Sequence, residues 1–149
     1  GIREVIGVDP AHEPDFGPRA MGKAGATAVG ARAFLIAFNV YLNTDNVEIA
    51  KKIAKTVRHS TGGLRYVKAL GLLVDGQAQV SMNLTDFRQT PIHLVVEMIR
   101  REATRYGVMI SHTELVGMAP QQALLDAAIW YLQLDSFKPD LVLENRLMG

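Results

Sequence analysis

Residues 65–86, RYVKALGLLVDGQAQVSMNLTD, contain the pattern that decides the fold. Asp75-Gly76 is a dipeptide typical of a two-residue β-hairpin turn, because both residues tolerate the positive φ angles of that turn. Polar and apolar residues alternate along 77–86, as they do in a strand with one buried face. The stretch therefore predicts two antiparallel strands, at 65–74 and 77–86, joined by a tight turn.

Two helical segments flank this hairpin. Asp45 is the predicted N-cap of the first helix and Thr90 that of the second, with Pro91 at the first helical position. Gly62-Gly63 and Gly107 are expected to end the two helices. Their apolar stripes, at helical spacing, are Ala50, Ile53, Ala54 and Val57 in the first helix and Ile92, Val95, Val96, Ile99 and Ala103 in the second.

The remaining elements complete a recognisable order. An apolar strand is predicted at 33–42, a short strand at 108–112, and a last helix from Pro120. The order β-α-β-β-α-β predicts an α+β, ferredoxin-like fold with a mainly antiparallel sheet, helices on one face and an extra C-terminal helix. The last helix should pack through Ala123, Leu124, Ala127, Ala128 and Tyr131, and the apolar residues 141–143 should pack back on the domain.

Composition limits the classes of function. The 149 residues carry a net charge of +1, without the concentrated basic excess of a nucleic-acid binder. The chain has no cysteine, so disulfides, thiolate metal sites and thiol nucleophiles are excluded. It shows no apolar run of membrane-spanning length and no signal peptide. We expect one cytoplasmic domain that binds neither nucleic acid nor membrane.

The third strand places polar side chains on the face turned away from the helices. They are Gln79, Ser81 and Asn83. Asn39 of the first strand should lie on the same face, and Ala69 and Gly71 of the second strand should leave room above it. Neutral amides and a hydroxyl suit a partly covered surface that hydrogen-bonds a ligand. The alternative is a plain solvated face, which antiparallel sheets often have.

A loop rich in glycine and proline leads into the first strand. It contains PDFGP at 14–18 and GATAVGAR at 25–32. Glycine allows positive φ angles and lets a backbone approach a ligand closely, so this loop is a candidate binding segment. The plainer alternative is a surface connection.

Several blocks together resemble the C-terminal subdomain of the formiminotransferase domain. These blocks, in the order of that family, are PDFGP at 14–18, GATAVGARAFLIAFN at 25–39, GGLRYVKALGLLVDGQAQVSMNLTDF at 62–87, TPIH at 90–93 and SHTELVGMAPQQALLDAA at 111–128. The resemblance implies that residues 14–149 form this subdomain. It also implies that residues 1–13 are a tail that connects to an N-terminal subdomain missing from this chain.

The resemblance also implies a function. In the family, the two subdomains lay their sheets against each other, and a folate lies in the tunnel between them. The reaction transfers a formimino group between N-formimino-L-glutamate and tetrahydrofolate, in histidine degradation and one-carbon metabolism. The catalytic base is a histidine of the N-terminal subdomain, so we expect no catalytic residue here and an inactive isolated chain. A homodimer is another expected way to cover the polar face.

The family's folate-contacting segments correspond to the glycine-rich loop and to the end of the first helix. The implied residues are Gly17, Pro18, Arg19, Ala20, Met21, Gly22, Lys23, Ala24 and Gly25 in the loop and Thr56, Val57 and Arg58 in the helix, together with Asn39, Ser81 and Asn83 on the polar face. Arg58 is expected to pair with a carboxylate of the folate glutamate tail, because a guanidinium fork fits a carboxylate. Its alternative role is to complement the negative end of the helix dipole.

The histidines and carboxylates give weaker signals. No two histidines have the spacing of metal ligands on one element, and His93 in TPIH is predicted to be structural. His112 receives no role, and Asp86 and Glu114 are ranked as caps or surface groups. A small-molecule-binding regulatory module of ferredoxin-like fold remains the alternative function. An RNA-binding module is disfavoured, since the third strand lacks exposed aromatic residues. The sequence leaves a formimino or a formyl donor open.

Overall fold

The computed structural model describes residue 6, residues 9–20 and residues 22–148. The chain divides into two compact units, residues 1–32 and 33–149. In the first unit, a 3-10 turn at Pro10–His12 is capped by Asp9, whose side chain accepts a hydrogen bond from the backbone N–H of Ala11. All regular strands and α-helices of the described residues belong to the second unit.

Four strands of the described residues form one antiparallel sheet. They are β1 (Ile36–Leu42), β2 (Val67–Val74), β3 (Gln77–Leu84) and β4 (Ile110–Val116). Their order in the sheet is β2-β3-β1-β4, and each neighbouring pair is antiparallel. Asp75 and Gly76 join β2 to β3 with φ angles of 48° and 78°, as the hairpin prediction requires. The α+β, ferredoxin-like prediction is confirmed.

Four α-helices accompany this sheet within the described residues. They are α1 (Val47–Val57), α2 (Ile92–Arg105), α3 (Gln121–Leu132) and α4 (Leu143–Met148). The predicted apolar stripes of α1 and α2 are buried residue for residue, with Glu102 of α2 as an additional buried position. Both helices join one core cluster with the inward side chains of the sheet, among them Ile36, Val40 and Leu84.

The prediction that Ala69 and Gly71 lie on the polar face is wrong. In the register of β2 with β3, Ala69 lies opposite Met82 and Gly71 opposite Val80. Directly opposed residues of an antiparallel pair share a face, and Met82 and Val80 are core residues. The small residues therefore make room for α1, and the polar face instead receives the side chains of Lys68, Leu70 and Leu72.

Helix ends differ from the predictions by one to several residues. Asn46, not Asp45, caps α1, because its side chain accepts a hydrogen bond of 3.1 Å from the Glu48 N–H. Pro91, not Thr90, is the N-cap residue of α2, which begins at Ile92. The hydroxyl of Thr90 donates to the Arg65 carbonyl at 2.6 Å, so it connects the start of α2 to the residues before β2. Helix α1 ends at Val57, and a 3-10 turn at His59–Thr61 precedes Gly62.

Strand β4 begins later and runs further than the predicted 108–112. Its register with β1 shifts between Tyr41 and Leu42, which leaves Ser111 as an extra residue. Such a bulge bends a strand and changes its pairing locally. The Gln77 side chain holds the bulge, since its Nε2 donates to Ser111 Oγ at 2.6 Å and to the Leu42 carbonyl at 2.8 Å.

The C-terminal segments are less buried than predicted. Of the five residues expected to pack α3, only Ala123 is buried, whereas Leu124 and Tyr131 are about half exposed, at 50% and 48%. Leu141 and Leu143 are also exposed, so the expectation that they pack back on the domain is wrong. Helix α3 packs mainly against α2. None of the helices in the described ranges combines the length and apolar character needed to cross a bilayer.

Candidate functional site

The sheet has one face turned away from α1 and α2, and we call it the open face. In the three rows that cross all four strands, each strand contributes one alternating side chain per row. The open face consists of Lys68, Leu70 and Leu72 of β2, Gln79, Ser81 and Asn83 of β3, Ala37, Asn39 and Tyr41 of β1, and His112, Glu114 and Val116 of β4.

The predicted polar residues meet at the centre of the open face. Asn39 lies directly opposite Ser81 across β1 and β3, and Asn83 lies one row further, opposite Ala37. Ser81 and Asn39 are partly exposed, and Asn83 is exposed. Gln79 is only 3% exposed, and it lies between Leu72 and Tyr41 in its row. Asn39, Ser81 and Asn83 can therefore contact a ligand together.

A cavity of about 490 Å³ lies where the end of α1 meets β2 and β3. Its lining residues are Arg58, His59, Ser60, Val67, Lys68, Ala69, Leu70, Ser81, Met82 and Asn83. It joins the predicted cation Arg58 to the predicted polar residues Ser81 and Asn83. Arg58, His59 and Lys68 supply basic groups, and the described lining contains no carboxylate, so the cavity suits an anionic ligand group.

The other two predicted helix residues lie elsewhere. Val57 is fully buried in the core, and its side chain faces the sheet. Thr56 donates to the Lys52 carbonyl at 3.1 Å and lines a different cavity, of about 510 Å³. That second cavity is lined by Lys52, Lys55, Thr56, Thr61, Gly62, Met98 and Tyr106. Of the three-residue segment, only Arg58 shares a cavity with the open face.

The predicted loop residues belong to the first unit. Gly17 and Gly25 have φ angles of 94° and 79°, in the region that favours glycine, and nothing would contact a Cβ at either position. Gly25 N–H donates to the Gly22 carbonyl at 3.1 Å, which closes a turn. Arg19 forms an exposed ion pair of 3.1 Å with Glu13. Pro18, Ala20, Lys23 and Ala24 are exposed. Met21 lies outside the described residues, and the role of the loop stays a prediction.

The sequence reasoning missed a polar cluster at the β4 end of the open face. Glu114 Oε2 accepts hydrogen bonds from Asn39 Nδ2 at 3.0 Å and from the Tyr41 hydroxyl at 3.4 Å. The ring of Tyr41 stacks on His112, with centroids 4.3 Å apart and planes within 10°. The alternation of His112, Glu114 and Val116 could have indicated this cluster, had the predicted strand extended beyond residue 112.

The other titratable candidates have structural surroundings. Burial lowers the pKa of His93, and the negative charge of Asp126 opposes this shift. The His93 ring stacks on Trp130, with ring centroids 5.0 Å apart. Asp86 accepts hydrogen bonds from the Arg88 N–H and the Gln89 side chain, as a turn cap does. Within the described ranges, no three histidine, aspartate or glutamate residues come together in a way that could hold a metal ion.

The chain is similar to one family model and to several known proteins. A family model described as "Formiminotransferase domain" matches residues 37–146. A glutamate formimidoyltransferase of Thermoplasma acidophilum is 51% identical over 137 residues, which are 91% of this chain and 45% of that protein. The protein of the same name from Streptococcus pyogenes serotype M1 is 48% identical over 140 residues, 91% of this chain and 47% of its own length.

A longer relative also matches. The formimidoyltransferase-cyclodeaminase of Sus scrofa is 42% identical over 132 residues, which cover 83% of this chain and 24% of that protein. The chain thus spans about half the length of the two glutamate formimidoyltransferases and about a quarter of the longer one.

Proposed function

This chain belongs to the formiminotransferase domain family, and on that premise we propose that it is the folate-binding half of a glutamate formiminotransferase. The whole enzyme transfers a formimino group between N-formimino-L-glutamate and tetrahydrofolate, as a step of histidine degradation and one-carbon metabolism. Tetrahydrofolate is its co-substrate, and the other half of the enzyme is its partner.

The observation that carries this proposal is the cavity at the end of α1. It combines Arg58 and Lys68 with the side chains of Ser81 and Asn83. A folate ends in a glutamate with two carboxylates, and carboxylates pair well with a guanidinium and an ammonium group. The amide and hydroxyl groups suit the neutral polar atoms between the tail and the ring.

In this proposal, the chain binds and orients the folate, and the other half of the enzyme supplies the catalytic residue. The open face forms one wall of a tunnel, and the sheet of the N-terminal subdomain forms the opposite wall and excludes water. A histidine of that subdomain manages the protons of the transfer. This chain contributes no catalytic base, so by itself it has no transferase activity.

The test is a calorimetric titration with a reduced folate, on the protein that carries both halves. Asn83→Ala removes a hydrogen-bonding side chain from the cavity wall and leaves buried ligand atoms unpaired, at a cost of about 1–3 kcal/mol. We therefore expect the affinity to fall by roughly ten- to a hundred-fold.

Gln89→Ala is the matched control for this titration. Gln89 is an exposed residue beyond β3, and its side chain donates to Asp86 Oδ2 at 2.9 Å. Its substitution should leave the affinity unchanged. If both variants bind reduced folate as the parent does, the open face is not a folate wall, and a regulatory small-molecule module becomes the better interpretation.

A further inference from the structure

Glu114 presents an acceptor that no described residue uses. Both hydrogen bonds to its carboxylate, from Asn39 and Tyr41, fall on Oε2. Among the described residues, Oε1 accepts no hydrogen bond, and no Lys, Arg or His nitrogen forms an ion pair with Glu114. An ionised carboxylate accepts hydrogen bonds but donates none, so Glu114 is suited to a group rich in N–H donors.

The neighbouring residues hold this carboxylate in a defined position. Asn39 belongs to β1, at the centre of the sheet, and it lies directly opposite Glu114 in the register. Tyr41, two residues further along β1, donates its hydroxyl from the side. The Tyr41 ring in turn stacks on His112, so this end of the open face combines a fixed carboxylate with aromatic surface.

The two ends of the open face differ in charge. One row of the sheet runs from Leu70 through Ser81 and Asn39 to Glu114. Strands are spaced by about 4.8 Å, so the β2 and β4 ends of this row are about 14 Å apart. Arg58 and Lys68 lie at the β2 end and Glu114 at the β4 end, which favours an elongated ligand that carries anionic groups at one end and N–H donors at the other.

We propose that Glu114, held by Asn39 and Tyr41, is a subsite for a planar group with two adjacent N–H donors. This inference rests on the proposed function, and it fixes how the ligand lies: across the strands, with its carboxylates towards Arg58 and its donor edge at Glu114. Two molecules of the proposed reaction carry such an edge. They are the pterin ring of the folate, through its 2-amino group and ring N–H, and the amidine of the formimino donor.

The experiment measures binding of separate ligand parts to the protein that carries both halves. The ligands are a reduced pterin without the tail, p-aminobenzoylglutamate without the pterin, and N-formimino-L-glutamate. Glu114→Gln keeps the shape of the side chain but replaces one acceptor by a donor. Because a hydrogen bond to a charged group is lost, the affinity for the pterin should fall about ten- to a hundred-fold. The affinity for p-aminobenzoylglutamate should stay unchanged.

Arg58→Gln provides the reciprocal measurement, since it should lower the affinity for p-aminobenzoylglutamate and leave the affinity for the pterin unchanged. Glu48→Gln is the control for removing a carboxylate, because Glu48 is an exposed residue of α1 whose partner is Lys51. If Glu114→Gln lowers the affinity for N-formimino-L-glutamate and not for the pterin, Glu114 is still a subsite for a planar group with two N–H donors, and the amidine is that group.

Two results would overturn the inference, and they differ. If the parent binds reduced folate and Glu114→Gln binds all three ligands as the parent does, the subsite is absent while the proposed function stands. If the parent binds neither reduced folate nor its parts, the proposed function fails, and the subsite fails with it.

Discussion

At Gly71, the backbone of β2 approaches the backbone of α1 so closely that no side chain fits between them. A Cβ at this position would lie 2.5 Å from the carbonyl carbon of Ala50 and 2.5 Å from Cα of Lys51. Real Cβ atoms essentially never come this close to backbone atoms, which cannot rotate away as a long side chain can. The packing of α1 on the sheet therefore depends on a glycine at this residue.

Gly71→Ala should accordingly destabilise the fold. Overpacking of this kind costs about 1–3 kcal/mol in the free energy of unfolding, which urea denaturation would measure. Gly30→Ala serves as the control, because a Cβ there would meet no atom within 4 Å. A Gly71→Ala protein as stable as the parent would contradict the close approach of α1 to β2.

Gly71 also shows why the side chains of β3 were assigned to the correct faces of the sheet and those of β2 to the wrong ones. In β3, polar and apolar residues alternate, so the two faces can be distinguished from the sequence. In β2, VKALGLLV has apolar residues on both sides of the strand, and alternation cannot distinguish its faces. Only the pairing of Gly71 with Val80 decides that Gly71 faces the helix.

Helices α2 and α3 contact each other through aromatic and polar side chains. His93, near the start of α2, stacks on Trp130 of α3 at 5.0 Å, and the Tyr131 hydroxyl donates to Glu97 Oε1 at 2.9 Å. The Nδ1 atom of His93 is buried and has no hydrogen-bond partner among the described residues. Burial also raises the pKa of Tyr131, and the hydrogen bond to Glu97 raises it further. The contact between the helices thus favours neutral rings on both sides.

The lowered pKa of His93 predicts a pH-dependent stability. Its usual value is 6.5, and burial lowers it in the folded state. Below pH 6.5 the unfolded chain therefore takes up the proton first, and the free energy of unfolding should fall as the pH drops from 6.5 towards the folded-state pKa. Above that range both states are neutral at His93, and this contribution is constant.

Denaturation curves between pH 5 and 8 would measure this effect, with Trp130, the single tryptophan, as the fluorescence reporter. His93→Gln should remove this part of the pH dependence. His59→Gln, at an exposed position, should keep it. An unchanged slope in the His93 variant would show that another group causes the pH dependence.

At the scale of elements, sequence periodicity correctly predicted the helices that bury a continuous apolar stripe. The apolar stripes of α1 and α2 follow helical spacing, and both are buried as predicted. Strand β4 was predicted at 108–112 and forms at 110–116, and the bulge at Ser111 could not be predicted because a bulge is set by pairing with β1. In α3 only Ala123 is buried, so its apolar residues do not mark a packing face.

For the molecule as a whole, the open face is a surface that combines polar and apolar side chains. Leu70 is 60% exposed and Leu72 is 41% exposed, next to the partly exposed Ser81 and Asn39. Exposed apolar groups rimmed by polar ones are typical of interaction surfaces. The sequence predicted the central polar residues of this face, but its extent over four strands, with Glu114 at one end, follows from the register.

We expect the isolated chain to self-associate through the open face, as a homodimer that covers it. Analytical ultracentrifugation at increasing protein concentration would detect the dimer. Leu70→Asp places a charge on this face, so it should shift the protein towards the monomer. Leu143→Asp, at an exposed leucine of α4, should leave the association unchanged. A parent chain that stays monomeric at the highest concentration would count against this expectation.

The register of β1 with β4 also has a consequence for how the chain folds. Asn39 and Glu114 touch, yet 75 residues separate them along the chain, whereas the turn at Asp75-Gly76 brings β2 and β3 together locally. Contacts between distant residues carry the larger loop-closure entropy and tend to form late. The hairpin can therefore form early, while the Glu114 end of the open face is completed only when nearly the whole sheet has assembled. Nascent or truncated chains that stop before β4 would lack this end of the surface altogether.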